Sequence, residues 1–255
     1  MVKIELNGPR ATITIHDPER RNPLSARVVE DLVRLTSEAN ANPEVRVIVY
    51  TGAGDRAFSA GGDLSSGFFD DPIGLHRMRG KLAELFRIMW EGEKPTVARV
   101  NGHALAGGFG LAVAADFTIC VDDARLGTPE IGVGLWPMMI TVPLLRAIPH
   151  KALFDLMATG RVLSPEEALR LGAVSRVVSR ADLDSTVDDL VSSLARQSPA
   201  VMAQGRRTLA AIAGMSPEAA LDFLQTGLTA VTLTEDAREG LAAFAEKRAP
   251  VWVGR

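Results

Sequence analysis

Two glycine clusters and one isolated carboxylate are the residues whose types and spacing could do chemistry. The first cluster is Ala57-Phe58-Ser59-Ala60-Gly61-Gly62-Asp63-Leu64. The second is Asn101-Gly102-His103-Ala104-Leu105-Ala106-Gly107-Gly108-Phe109-Gly110. Glycine at such places commonly makes tight turns. It also lets a backbone N–H approach a ligand oxygen with no side chain in the way. One donor from each cluster would form an oxyanion hole, an arrangement suited to a thioester enolate. A helix beginning near Gly107 would add its positive end. Glu130 is the only charge between Arg125 and Arg146. The plain reading is a helix-terminal Glu in water. In so apolar a stretch, desolvation would raise its pKa and make it a usable acid and base.

Other chemistries lack their residues. Gly52-Ala53-Gly54-Asp55-Arg56-Ala57 matches the G-x-G-x-x-A of dinucleotide sites. The chain that follows is too glycine-rich for the helix such a site requires. No phosphate loop, H-E-x-x-H, G-x-S-x-G or Cys/His metal pattern occurs. The histidines His16, His76, His103 and His150 are scattered, and no metal or separate cofactor is expected.

The elements that must position these residues follow from periodicity. Val2, Ile4 and Leu6, then Ala11, Ile13 and Ile15, alternate about Asn7-Gly8-Pro9, which predicts a β-hairpin. A helix is expected over Ser25–Ala41 and another over Leu75–Trp90. Strands are expected at Val45–Thr51, Thr96–Val100, Phe117–Val121 and Val174–Val178. A helix is expected from Gly107 to Ala115. Strands alternating with helices indicate an α/β fold with crossover connections. Ser164-Pro165, Ser198-Pro199 and Ser216-Pro217 each read as a cap followed by a first-turn proline, so the last third is mostly helical.

The 255 residues carry 28 Lys plus Arg against 31 Asp plus Glu, a net charge of −3. That balance leaves no basic excess to speak for nucleic acid or an anionic membrane. The single Cys120 cannot form an internal disulfide and reads as a buried small hydrophobe in a reducing, cytoplasmic compartment. The longest uncharged runs are too short to span a bilayer.

Taken in order, the motifs resemble the crotonase (enoyl-CoA hydratase/isomerase) superfamily over nearly the whole chain. The resemblance rests on Asn22-Pro23-Leu24, the first cluster from Ala57 to Leu64, and Lys94 through Gly108. It continues through Thr128-Pro129-Glu130-Ile131 and a tail from Asp236 through Glu239-Gly240 and Ala243-Phe244 to Glu246-Lys247-Arg248. It implies a core of repeated ββα units over residues 1–197 and a helical oligomerisation region over 198–255. It also implies a homotrimer or dimer of trimers acting on an acyl-CoA thioester. The matching positions place the oxyanion-hole donors on Gly62 and Gly107 and the acid/base on Glu130. The strand after Asn22-Pro23-Leu24, with Ser59 and Ala60, would hold the nucleotide and pantetheine, and Arg20 or Arg21 would reach a CoA phosphate. Leu24, Asp63, Leu64, Leu105, Gly108, Pro129 and Leu135 would line the substrate. Phe244 and Lys247 would reach CoA from a neighbouring subunit. Asp63 itself reads as a loop or helix cap rather than a catalyst.

One departure bears on the reaction. Two-carboxylate hydratases of this family carry a Glu three residues after the hole-forming glycine, and here that position is Gly110. Glu130 matches the remaining carboxylate. Hydration needs one group to hold and deprotonate water and another to protonate the α-carbon. A single carboxylate suits a 1,3-proton shuttle, so double-bond isomerisation is expected ahead of hydration in fatty-acid or related acyl-CoA catabolism. Decarboxylation, thioester hydrolysis and non-catalytic acyl-CoA binding are the other readings. Asp116 and Asp122/Asp123 are expected as caps or turn residues. A Gly110→Glu change should favour hydration if the fold accepts it.

Overall fold

The computed structural model describes residues 1–63 and 71–255. Leu64 lies outside the described residues. β1 (Val2–Asn7) and β2 (Arg10–Ile15) form the expected hairpin, paired antiparallel about Gly8. Their faces are unequal. β2 buries Ala11, Ile13 and Ile15, whereas β1 is the sheet edge and leaves Leu6 exposed. The Ser25 hydroxyl accepts from Val28 N at 3.3 Å and starts α1 (Ala26–Ala41). No strand therefore follows Leu24, contrary to expectation, because the serine cap turns the chain directly into a helix.

A ββα unit then repeats. β3 (Val47–Gly52), β4 (Ala57–Ser59) and α2 (Pro72–Glu91) form the first copy. β5 (Thr96–Val100), β6 (His103–Leu105) and α3 (Gly107–Ala114) form the second. β7 (Phe117–Val121) and β8 (Leu126–Gly127) open the third, followed by a 3₁₀ turn (Pro129–Val133), α4 (Thr141–Ala147) and α5 (His150–Thr159). β9 (Val162–Leu163), α6 (Pro165–Arg170), β10 (Arg176–Val178) and α7 (Leu183–Ala195) complete the core. The first strand of each pair enters one sheet and the second enters another. The two orders are β1-β2-β3-β5-β7-β10 and β4-β6-β8-β9. Parallel pairing dominates both, with antiparallel ladders only at β1–β2 and β8–β9. All six residues of β3 are buried, as a central parallel strand covered on both faces requires. α2 starts three residues before its apolar stripe because the Asp71 carboxylate caps Gly74 N at 2.8 Å.

Three further helices follow: α8 (Pro199–Ile212), α9 (Pro217–Thr232) and α10 (Glu235–Glu246). Arg206 of α8 ties them to the core. It donates to the carbonyls of Met89 and Gly92 at the end of α2 and to Asp116 at 2.8 Å. Asp116 also accepts from Thr96 N and Oγ1, each at 2.7 Å. It is thus a structural clasp between β5 and α8 rather than the cap or turn residue expected. Asp123 is held by Arg180 at 2.7 Å. Cys120 is fully buried, and burial pushes its thiol up to about 12. Among the described residues no helix is long and apolar enough to cross a membrane.

The tail folds back on these helices. Asp236 is fully buried and accepts from Ser198 Oγ at 2.6 Å and from the N–H groups of Val253 and Gly254 at 2.7 and 3.0 Å. Burial alone would raise the Asp236 carboxyl, but these hydrogen bonds outweigh it and hold it below the ordinary range. Glu239, bound by Arg248 and Val251 N, is pulled down to about 2. A depressed carboxylate stabilises the docked tail above its unfolded pKa, and that contribution is lost as pH falls through the folded pKa. The Trp252 indole donates to Arg196 O at 2.7 Å and reports on docking. Its fluorescence, isolated against a Trp252→Phe control, should stay constant down to about pH 4, near the ordinary carboxylate pKa, and change below it. Asp236→Asn should release the tail at neutral pH.

Candidate active site

Two buried asparagines set the direction in which the first glycine cluster leaves the sheet. Asn22 Nδ2 donates to the carbonyls of Ala53 at 3.0 Å and Ala57 at 2.8 Å, while its Oδ1 accepts from Asp17 N at 2.9 Å. Asn101 Nδ2 donates to Gly52 O at 2.9 Å and Gly54 O at 2.7 Å, and its Oδ1 accepts from Gly52 N at 3.2 Å. Together they fix the Gly52–Ala57 loop and hence the start of β4.

After β4, Ser59 is fully buried and its hydroxyl accepts from Gly61 N at 3.1 Å. Ala60 N donates to Arg21 O at 2.9 Å. Gly61 has φ +90°, and a Cβ there would stand 2.6 Å from the Ala106 Cβ, so only glycine fits. Leu24 N donates to Gly61 O at 2.8 Å, and Leu24 forms an isolated parallel bridge with Gly62. In that pattern Leu24 directs its own groups to the residues flanking Gly62, so the Gly62 N–H faces away from it. Asp63 binds Arg20 through both carboxylate oxygens, each 2.9 Å from Nη2.

The second cluster turns on a strained residue. Ala106 has φ +50° and ψ −128°, an unusual conformation for a side chain other than glycine's. Its N–H is taken by Gly127 O at 2.8 Å. Gly107 then opens α3, so its N–H has no acceptor within the helix. A Cβ on Gly107 would lie 3.7 Å from Gly62 N and 3.2 Å from Leu24 Cδ1. The two expected donors therefore lie side by side, with Leu24 beside them. Gly108 packs even closer, since its Cβ would meet Ser59 O at 2.4 Å.

Glu130 reaches the same edge by topology. β4, β6 and β8 are parallel neighbours in the second sheet, and Gly62, Gly107 and Glu130 all follow their C-terminal ends. Glu130 Oε2 is buried with no hydrogen-bond partner among the described residues. Burial raises the carboxyl pKa, and its own backbone N–H opposes this only in part. The Thr128 hydroxyl, two residues earlier and fully buried, is likewise without a partner. The apolar residues beyond Glu130 shield it less than their sequence suggests. Leu135, Trp136 and Met139 are half-buried, but Val133 at the end of the 3₁₀ turn and Met138 before α4 are 63% and 70% exposed.

The position of the absent second carboxylate is occupied by protein. A Cβ on Gly110 would stand 2.1 Å from Ile140 Cγ2 and 2.4 Å from Ile140 Cβ. Ile140 is buried at the start of α4 and cannot simply move aside. Glutamate at 110 therefore cannot be added without replacing Ile140, which corrects the expectation that Gly110→Glu alone would favour hydration.

The remaining candidates are distributed as follows. Pro129 and Leu105 are half-buried at the same edge. Phe244 is 86% exposed, and Lys247 ends α10 with φ +54°. No contact among the described residues brings either to the glycine pair. A cavity of about 870 Å³ lies elsewhere, under α8 and α10, lined by Phe117, Val201, Met202, Leu241 and Trp252. Sequence reasoning missed Ile140, the Thr128 hydroxyl and the Arg20–Asp63 pair. Only the last had a signal, opposite charges in two neighbouring motifs.

Residues 7–255 match the family model described as enoyl-CoA hydratase/isomerase. The chain belongs to that family. A putative enoyl-CoA hydratase of Thermus thermophilus is 37% identical over 255 residues, covering 98% of this chain and 99% of that protein. A carnitinyl-CoA dehydratase of Salmonella typhi is 36% identical over 256 residues, covering 98% and 97%. The crystal structure of an enoyl-CoA hydratase from Bacillus anthracis superposes with a TM-score of 0.94 at 27% identity, over 100% of this chain and 99% of that one. The family fold is thus shared along the full length.

The backbone packing of the two clusters can be tested without a substrate. Gly108→Ala places a methyl against Ser59 O and should destabilise the protein by about 1–3 kcal/mol, the usual cost of overpacking. Urea unfolding at fixed pH measures it.

Proposed function

We propose that the chain is an enoyl-CoA isomerase that moves a double bond from C3=C4 to C2=C3 of an acyl-CoA thioester. The Gly62 and Gly107 N–H groups donate to the thioester oxygen. Glu130 takes a proton from C2, giving a dienolate whose charge rests on that oxygen. The same carboxyl returns the proton to C4, the C2=C3 bond forms, and the carboxylate is regenerated. Nothing is oxidised or reduced, and no cofactor beyond the CoA of the substrate is required. The observation that carries this reading is Ile140 filling the space over Gly110, so the position of the family's second carboxylate cannot hold one while Glu130 is kept. Its raised pKa suits a group that both takes and gives a proton near neutral pH.

Hydration is the second reading, favoured by the names of the relatives. On either reading Leu24, Leu105, Pro129 and Leu135 border the thioester, and the Ser59–Ala60 backbone lies toward the pantetheine.

Glu130→Gln keeps the shape and removes the base. It should lower kcat by roughly 10²–10⁴ while leaving CoA thioester affinity close to wild type. The acid limb of the wild-type rate profile should lie above the ordinary glutamate range of about 4.3, because activity appears only as pH rises past the raised Glu130 pKa. Wild type should convert 3-enoyl-CoA to 2-enoyl-CoA faster than it hydrates crotonyl-CoA. Hydration at about 10 s⁻¹, a typical enzyme turnover, without bond migration would decide for the hydratase.

Assembly is part of the proposal. α9 buries none of its residues, and Leu221 and Leu228 are each 67% exposed on it. Their contact with a neighbouring subunit would cover them, making residues 198–255 the oligomerisation region. Light scattering at micromolar concentration should report a trimer or a dimer of trimers, and a monomer would refute it.

A further inference from the structure

Gly62 has little of its own to hold it in place. It is exposed, it carries no side chain, and a Cβ there would meet nothing within 4 Å. Its direction must come from the residues on either side. On the N-terminal side, Gly61 O accepts from Leu24 N at 2.8 Å. On the C-terminal side the same Leu24 bridge reaches the Asp63 backbone, and the Asp63 carboxylate takes Arg20 Nη2 on both oxygens at 2.9 Å. Both anchors belong to one short segment. That segment is itself braced, since Arg21 N donates to Pro18 O at 3.1 Å and Asn22 N to Asp17 O at 2.8 Å. Arg20 also approaches Asp17 at 3.8 Å.

We propose that the Arg20–Asp63 pair is a positioning device for the oxyanion hole, holding the Gly62 amide against the substrate oxygen. The inference rests on the reading of Gly62 as a donor to a thioester carbonyl. The Asp63 side chain is only 10% exposed, so its carboxylate is held against the protein on one side and against Arg20 on the other. Arg20 Nη2 lies 2.9 Å from both oxygens, a charge-assisted contact that restrains the carboxylate and, through it, the Cα of Asp63 and the peptide that joins it to Gly62. Arg20, whose side chain is 49% exposed, thereby acts through Asp63. A lysine ammonium is a point charge on a flexible stem and would hold Asp63 less strictly.

This role differs measurably from a direct contact between Arg20 and a CoA phosphate. A phosphate contact is present equally in ground and transition states, so its loss raises KM and spares kcat. A misdirected oxyanion donor weakens the transition state, so its loss lowers kcat. Asp63→Asn, Arg20→Gln, Arg20→Lys and the double variant Arg20→Gln/Asp63→Asn should be compared with wild type on 3-enoyl-CoA. Each single variant should lower kcat by about tenfold or more, less than the 10²–10³ of losing a donor outright, with KM within about threefold. The double variant should be no worse than the poorer single one, as expected of two groups acting as a unit. Arg20→Lys should lose less than Arg20→Gln.

Infrared difference spectra of bound 2,4-hexadienoyl-CoA read the hole without turnover. The thioester carbonyl band should shift to lower frequency in wild type and shift less in every variant that still melts at the wild-type temperature. Raised KM with unchanged kcat, additive losses, or an unaltered carbonyl shift in Asp63→Asn would each overturn the proposal. A wild-type carbonyl shift in a protein that moves no double bond would instead refute the isomerase reading and leave the positioning claim standing. Absence of the shift in wild type would refute Gly62 as a donor and the proposal with it.

Discussion

Gly62 and Gly107 are available to a ligand because the second sheet stops before it would pair them. A backbone N–H inside a ladder is committed to its neighbour, so strands that ran two or three residues further would consume both groups. β4 and β6 are only three residues long, and each is ended by a backbone turn that ladder geometry excludes. Gly61 at φ +90° ends the path from the first, and Ala106 at φ +50° ends the second. Their close contact explains why one of them must be glycine. It also explains why Gly108 lies against Ser59, since the two loops can present neighbouring amides only if their backbones nearly touch. The larger sheet supplies the rigid backing, and the ββ step repeats three times to bring three strand ends to one edge.

The larger sheet was legible in the sequence. β3, β5 and β7 are five or six residues long and mostly apolar, and the helices around them carry recognisable caps and stripes. The smaller sheet was not legible from periodicity. Its strands have two or three residues, too few to show alternation, and their pairing is set by the strands that precede them. The resemblance carried by the ordered motifs supplied the ββα repeat where the residues alone did not.

The candidate site divides in the same way. Glycine clusters and a lone glutamate announce themselves by composition, and the structure brings Gly62 and Gly107 together beside Leu24. What stands opposite Gly110 could not be read, because Ile140 lies 30 positions away on an unrelated element. Its apolar neighbours made it look like ordinary core. The Arg20–Asp63 pair joins residues 43 apart. The flanks of Glu130 misled for a different reason. An apolar sequence indicates shielding only when the chain folds inward, and the 3₁₀ turn and the residues before α4 leave several of those side chains exposed.

The two asparagine clamps also bear on how this chain can change length. Gly54, Asp55 and Arg56 are exposed, and exposed turns between strands ordinarily absorb insertions and deletions. Here Asn22 and Asn101 grip the carbonyls of Gly52, Ala53, Gly54 and Ala57 from within. An added residue would move at least one of those carbonyls off a buried amide and leave it unsatisfied. The turn therefore has the look of a free surface loop and the fixed length of a core element. Homologous chains that keep both asparagines should vary in side chain at positions 54 to 56 but align there without gaps.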